Sequence, residues 1–342
     1  MSDRAASQNA RPTIYDVAHL AGVSTATVSR ALNGAGQIAP HTRAAIEAAV
    51  EQLGYRPNTI ARSLVTKSTQ TIALLLPDIE NPFYAALVRG IQQRALAAGS
   101  TMLLCTTEGD PEREEQYLSL LRAKQVDGVL VDGLVLPPQR ITDFVRDGLP
   151  IVCLDRDIDS TSVPLVQVDN RLGARLATEH LLALGHTRIA HVAGATGLRI
   201  SGERVEGYAD GLATAAVERD PALVAIGSFT EEGGYDATRA LLAATTLTAV
   251  FAANDLSALG VMHAIAESGR RVPDDVSVVG FDDLRLAAHT TPPLTTIRQP
   301  AFEIAQLATQ LLLELAAGRE VPQRLHLLEP ELVVRGSTAP VA

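Results

Sequence analysis

Residues 13–33 read TIYDVAHLAGVSTATVSRALN, and the spacing of their apolar positions decides how the amino-terminal part folds. Helical periodicity predicts one helix over Ile14–Leu20 and a second over Ser24–Asn33, with Ala21-Gly22-Val23 between them. Gly22 supplies the backbone freedom of a tight corner, and Ser24 is a good N-cap for the second helix. A third helix is expected over Pro40–Leu53, with His41 and Thr42 in its first turn behind the proline. Ile14, Val17, Ala18, Val23, Val28, Leu32, Ile46 and Val50 suffice for one small core. No strand-like run interrupts residues 1–65. Two helices joined at a glycine corner form the arrangement whose second helix enters a DNA major groove about 12 Å wide. On that helix Val28 and Leu32 face the core, which turns Thr25, Ala26, Ser29 and Arg30 outward. Arg30 can grip guanine O6 and N7 with two hydrogen bonds, and Thr25 and Ala26 offer methyl groups to thymine. Ser24, Thr27, Ser29 and Asn33 suit phosphate oxygens. Arg30 could equally be a solvated surface charge, and its neighbours must decide.

The chain has 342 residues, 46% of them hydrophobic, which is enough for more than one domain and excludes a stapled mini-protein. Its two cysteines, Cys105 and Cys153, lie in apolar contexts without CxxC spacing and imply buried thiols in a reducing compartment. The amino terminus carries no apolar signal core, and no run approaches the roughly 18 apolar residues that cross a bilayer. A cytoplasmic protein is expected. The formal charge is −10, yet residues 1–70 sum to +3 and the remainder to −13. A small basic head thus precedes a large acidic body, and the two should have different partners.

From Thr71 onward, short apolar runs alternate with amphipathic stretches. TIALLL (71–76), TMLLCT (101–106), GVLVD (128–132) and PIVCL (150–154) are strand candidates, with a helix expected near Phe83–Ala98. The rhythm restarts with RIAHVA (188–193), LVAIG (223–227), TAVFAA (248–253) and VSVVGF (276–281). This is βαβ patterning, and it predicts an α/β body of two Rossmann-like parallel-sheet lobes covered by helices. An amphipathic segment near Pro300–Ala317 and the strands LHLLE and ELVV complete it.

Residues 13–33 closely resemble the headpiece of the lac/galactose repressor family. The resemblance resumes in TRAAIEAAVEQLGYRPN (42–58) and runs through HLLALGHTRIAHVAG (180–194), AANDLSALG (252–260), RVPDDVSVVGFDD (271–283) and PPLTTIRQP (292–300). It implies a DNA-binding regulator, most simply a repressor, that occupies a pseudo-palindromic operator as a homodimer or higher oligomer. Helices Phe83–Arg94 and Leu256–Glu267 are the expected dimer surfaces. The candidate DNA contacts are Thr13, Ser24, Thr25, Ala26, Thr27, Ser29, Arg30, Asn33, Thr42, Asn58, Ala61 and Leu64. The last three belong to PNTIARSLVT (57–66), too short to be helical alone. In dimers of the family such a hinge helix pairs with its mate and wedges a leucine, here Leu64, into the minor groove. A solvated linker with Leu64 buried on the body is the alternative.

The body resembles periplasmic sugar-binding proteins, as that family's does. The resemblance assigns Arg204 to gripping an effector, with Asp282 beneath it and Asn254 as a cleft amide; Asp155, Phe83 and Tyr84 line the other lobe. These types suit a polyhydroxylated ligand. Asp282 could instead serve a turn, and Asn254 could cap the helix from Leu256. Where purine-binding relatives carry further polar contacts, this chain has Leu198, Arg199 and Ile200. A sugar, sugar acid or sugar phosphate is therefore expected, with Arg199 and Arg204 leaving room for an anionic group. The expected organisation is a headpiece over 1–56, a hinge over 57–70 and an effector body over 71–342. Its N-lobe should comprise about 71–166 and 298–325, and its C-lobe about 167–297 and 326–342.

No GxSxG elbow, HExxH pair, Walker A loop or Cys/His metal spacing occurs, and no cofactor is expected. His180 and His186 read as solvated or capping residues, and GATGLRISG (194–202) as a cleft-lining loop. Two other classes remain open: a solute receptor without DNA function, and an enzyme using Asp155, Asp282 or His180. A missing export signal counts against the first and a missing nucleophile–base pairing against the second.

Overall fold

The computed structural model describes residues 12–32, 37–56, 68–123, 126–133, 135–155 and 163–341. Two compact units divide between Thr69 and Gln70. Asn33, Asn58, Ala61 and Leu64, and with them the hinge helix, lie outside the described residues.

The first unit holds α1 (Ile14–Ala21), α2 (Thr25–Leu32) and α3 (Pro40–Leu53). Asp16 closes the start of α1 by accepting from the Thr13 amide at 2.8 Å and the Thr13 hydroxyl at 2.7 Å. Gly22 ends α1 in the left-handed region at φ +66°, which lets the Val23 amide reach back to the Ala18 carbonyl at 3.0 Å. Ser24 lies just outside α2 and caps it, its hydroxyl accepting from the Thr27 amide at 3.2 Å. Val17, Ala18, Val28, Ala31, Ile46 and Ala49 form the buried core. Ile14, Val23, Leu32 and Val50 pack against it only partly buried.

The second unit carries two six-stranded sheets. The first has the order β11-β5-β4-β3-β1-β2 and the second β12-β10-β9-β8-β6-β7, with β7 (Val224–Ile226) at its edge. Described strand pairs are parallel except β10 (Thr295–Arg298) with β12 (Glu331–Val333), which is antiparallel. β5 (Leu165–Val168) and β10 are not among the expected strands: each spans four residues, and Gln167 or paired threonines break the apolar run. The chain passes between sheets after β5, after β10 and after β11 (Leu325–Leu328). Helices bury both faces of each sheet. α4 (Phe83–Ala97) packs on α11 (Ala301–Ala316) against the first sheet, and α7 (Asn170–Ala183) on α8 (Arg199–Thr214) against the second. Each fully buried leucine or phenylalanine in these layers contributes roughly 1.5–3 kcal/mol.

α9 (Glu231–Ala244) and α10 (Asp255–Glu267) cross where Gly260 leaves no room for a side chain: a Cβ there would stand 1.9 Å from the Glu231 carbonyl oxygen. Because the obstacle is backbone, Gly260→Ala should push the helices apart and lower stability by about 1–3 kcal/mol in a thermal melt. An unchanged melting temperature would mean the crossing yields freely.

His186 is neither solvated nor capping, and His180 is half-buried rather than fully solvated and bonds a distant segment. His186 is buried, with Nδ1 at 3.0 Å from the Thr248 hydroxyl and Nε2 at 3.0 Å from the Ala339 carbonyl oxygen. His180 Nε2 lies 3.0 Å from the Thr338 hydroxyl. Both rings pin the carboxyl-terminal segment to the second sheet, and burial lowers both pKa values. Long sequence separation hid these partners. Cys153 is buried, whereas Cys105 is only half-buried on the edge strand β2 (Thr101–Thr106).

Candidate functional site

Ser24 before α2, and Ala26 and Arg30 on it, are exposed and Thr25, Thr27 and Ser29 half-buried, so the spacing has turned the candidate residues away from Val28. Arg30 Nε donates to the Ala26 carbonyl at 3.4 Å, which lays its stem along the helix. The Ser24 and Thr27 hydroxyls sit 2.9 Å apart. Thr13 is exposed and Thr42 half-buried at the starts of α1 and α3. Tyr15, not among the sequence candidates, is 73% exposed in the first turn of α1. An aromatic ring on the polar side of a short amphipathic helix was the available signal.

In the second unit, strand order reverses beside β1 (Thr71–Leu76) in one sheet and beside β6 (Ile189–Ala193) in the other. In such sheets ligands bind beyond the carboxyl ends of the strands at these reversals. Asp155 follows β4 (Ile151–Leu154), Asn254 follows β8 (Ala249–Ala252), and Asp282 ends β9 (Ser277–Asp282). Asp155 and Asp282 have φ of +54° and +125°, conformations that a non-glycine residue adopts only when its surroundings impose them.

Arg204, on α8, joins these groups. It is 3% exposed, its Nε donates to Asn170 Oδ1 at 2.9 Å, and a terminal nitrogen donates to the Ala253 carbonyl. Its guanidinium carbon lies 3.7 Å from the centre of the Phe281 ring. Burial lowers its pKa, while Asp282 and Asp155 act to raise it. Burial likewise pushes Asp282 up to about 7 and Asp155 up to about 6, against the attraction of Arg204. Gln299 Nε2 donates to Asp282 Oδ1 at 2.6 Å. Tyr84, half-buried and edge-on to Phe83 at 5.7 Å, has its pKa raised by burial and by Asp132, Asp78, Asp155 and Asp282. Arg204, Asp155, Asp282 and Tyr84 thus share one electrostatic neighbourhood.

The other expected members stand differently. Asn254 caps α10, accepting from the Ser257 amide at 2.9 Å, and donates to the Phe229 carbonyl at 3.0 Å. Its amide is engaged in holding the turn before α9. Phe83 belongs to the buried core. Arg199 pairs with Glu203 at 2.8 Å, so it does not extend the positive charge of Arg204. Asp132, the last residue of β3 (Gly128–Asp132), and Gln299 were missed; Asp132 read as the end of a strand-like run, and Gln299 follows β10, which was not expected.

A raised carboxyl pKa means that the folded form holds protons which the unfolded chain has released. Stability from Asp282 is therefore greatest below pH about 4 and is lost as pH climbs through about 7. His191, buried and pushed down to about 4, acts oppositely below its unfolded value. Comparing wild type with Asp282→Asn isolates the carboxyl. Between pH 5 and 8 the variant should gain on the order of 2 kcal/mol relative to wild type, or several degrees in thermal melts. Parallel curves would show that the carboxyl keeps an ordinary pKa.

Among the described residues no helix is long and apolar enough to cross a membrane, and no group of His, Cys, Asp and Glu side chains could hold a metal ion.

Residues 13–58 match the model of bacterial regulatory proteins of the lacI family, and residues 178–338 that of a periplasmic binding protein-like domain. The ribose operon repressor of Halalkalibacterium halodurans is 38% identical, over 95% of this chain and 97% of its own. Among solved structures, the lac repressor dimer bound to operator and an anti-inducer is similar at TM-score 0.87 and 33% identity, covering 96% of this chain and all of that one. The CelR regulator in complex with cellobiose is similar at TM-score 0.74 and 37% identity, with the same coverage. A helix-turn-helix head followed by two parallel-sheet lobes, matched along almost its whole length, makes this chain a DNA-binding transcriptional regulator of the lacI family.

Proposed function

We propose that the protein is a repressor that occupies a pseudo-palindromic operator as a homodimer and is controlled by a sugar held between its lobes. In the dimer, two α2 helices would enter major grooves about one helical turn apart. Arg30 would read a base pair. Ser24, Thr25, Ala26, Thr27, Ser29, Asn33, Thr13 and Thr42 would position the head, with Tyr15 beside them. Asn58, Ala61 and Leu64 would supply the hinge contacts at the minor groove.

One observation carries the effector reading: a buried guanidinium stacked on Phe281, with Asp155 and Asp282 flanking it at strand ends of the two different sheets. A ligand bridging those ends would fix the angle between the lobes, and a guanidinium fork beside carboxylates matches adjacent hydroxyls. The relatives solved with cellobiose and with ribose point to the same class of ligand. Asn254 and Phe83 would support the cleft. A second copy of the chain would cover α4, α10 and the edge strand β2, where Leu103 and Leu104 are each about 40% exposed.

Thermal melts of the full chain with a panel of mono- and disaccharides test the effector class. A sugar at 100 times its dissociation constant should add about 2.7 kcal/mol. If no sugar raised the melting temperature, the cleft would not be a sugar site.

A further inference from the structure

Four buried side-chain polar atoms at the interlobe cleft lack a hydrogen-bond partner among the described residues: Asp132 Oδ2, Asp155 Oδ1, Ser201 Oγ and Gln299 Oε1. Asp132, Ser201 and Gln299 are each 6% exposed. An unpartnered buried polar atom costs about 1–3 kcal/mol, and native proteins contain few. Their convergence on one place implies that a ligand completes them.

The chemistry of those atoms restricts the ligand. Asp132 Oδ2, Asp155 Oδ1 and Gln299 Oε1 are acceptors, and Ser201 Oγ can accept as well as donate. Together they call for a molecule rich in O–H hydrogens. The buried cation nearby is Arg204, already bonded to Asn170 and the Ala253 carbonyl and drawn on by Asp155 and Asp282. Arg199 is paired with Glu203. Asp132 and Asp155 also repel one another, with Asp78 adding to the field. Burial and that repulsion hold Asp132 well above the usual carboxylate range. A hydroxyl satisfies such an oxygen whether or not it carries a proton, because a hydroxyl both donates and accepts. A carboxylate or phosphate would instead place a charge in a buried space whose cation, Arg204, is already engaged by Asn170 and the Ala253 carbonyl, leaving the added charge without a counter-ion of its own.

We propose that Asp132 is a specificity-determining residue of this cleft, accepting a hydroxyl hydrogen on its orphaned Oδ2, and that with Asp155 and Gln299 it admits uncharged sugars and rejects sugar acids and sugar phosphates. The proposal rests on the reading of the cleft as a sugar site. It narrows the anionic option that Arg199 and Arg204 suggest in the sequence.

Matched pairs test it on the full-length protein by calorimetry and thermal melts: ribose with ribose 5-phosphate, glucose with gluconate, cellobiose with cellobionate. For any pair that binds, the uncharged member should bind at least 100-fold more tightly. Asp132→Asn should weaken that member at least tenfold and shrink the preference over its charged partner at least tenfold. Retained operator binding, which needs the dimer surface of the body as well as the head, and an unchanged circular dichroism spectrum would show that the variant folds. A charged member binding wild type as tightly as its partner would overturn the proposal while leaving the cleft a sugar site. An unchanged preference in Asp132→Asn would also overturn it. If no member of any pair bound, the sugar reading itself would fail and take the proposal with it.

Discussion

Arg204→Leu should destabilise the body by about 3–5 kcal/mol at pH 8 and abolish the response to effector, because it removes a buried cation and leaves its carboxyl partners uncompensated. The loss has a signature beyond its size. Arg204 lowers the pKa of both Asp155 and Asp282 against the effect of burial, so without it both carboxyls hold their protons to still higher pH. Near pH 5, where both are largely neutral, the penalty should shrink markedly. Melts at the two pH values, with wild type alongside, measure the difference. An equal loss at both would assign the effect to packing on Phe281 rather than to charge. The first unit has its own core, so the head itself should stay folded in the variant.

Arg30→Ala should weaken binding to the cognate operator by about 1–3 kcal/mol and relax the preference at a single base pair. Ser24 caps α2, and Val28 anchors it to the core, so the helix itself should persist in the variant. A guanidinium that touched only phosphate would behave differently: every sequence would weaken alike, and the salt dependence would fall by about one unit of slope. Titrations against operators carrying single substitutions, at two salt concentrations, separate these outcomes. Binding that fell uniformly would remove Arg30 from base recognition.

Local chemistry made much of the fold legible. Ser24, Gly22 and Pro40 punctuate the head where their backbone preferences require, and α4 begins and ends close to its expected bounds because Leu87 and Ile91 keep a helical stripe. Short strands were harder. β5 and β10 lie between other layers, where a glutamine or threonines can be buried once the neighbouring strand satisfies their backbone, and no local signal announces that. The cleft was legible where a residue stood out in type or resemblance, as with Arg204, Asp155 and Asp282. Asp132 and Gln299 were not: Asp132 ends an apolar run, Gln299 follows a strand that the sequence did not announce, and each acquires its meaning only when the chain's passages between the sheets bring strand ends together. Asn254 shows the converse: both readings weighed for it placed it at the same strand end, and the hydrogen bonds to Ser257 and Phe229 show that it caps the helix.

The most direct test is a titration of a selected operator duplex with the purified protein, with and without a sugar that raises its melting temperature. If occupancy of the cleft sets the angle between the lobes and thereby the spacing of the two heads, saturating sugar should change operator affinity about five- to 150-fold, a coupling of about 1–3 kcal/mol. A sugar that stabilises the body yet leaves operator affinity within twofold would contradict it.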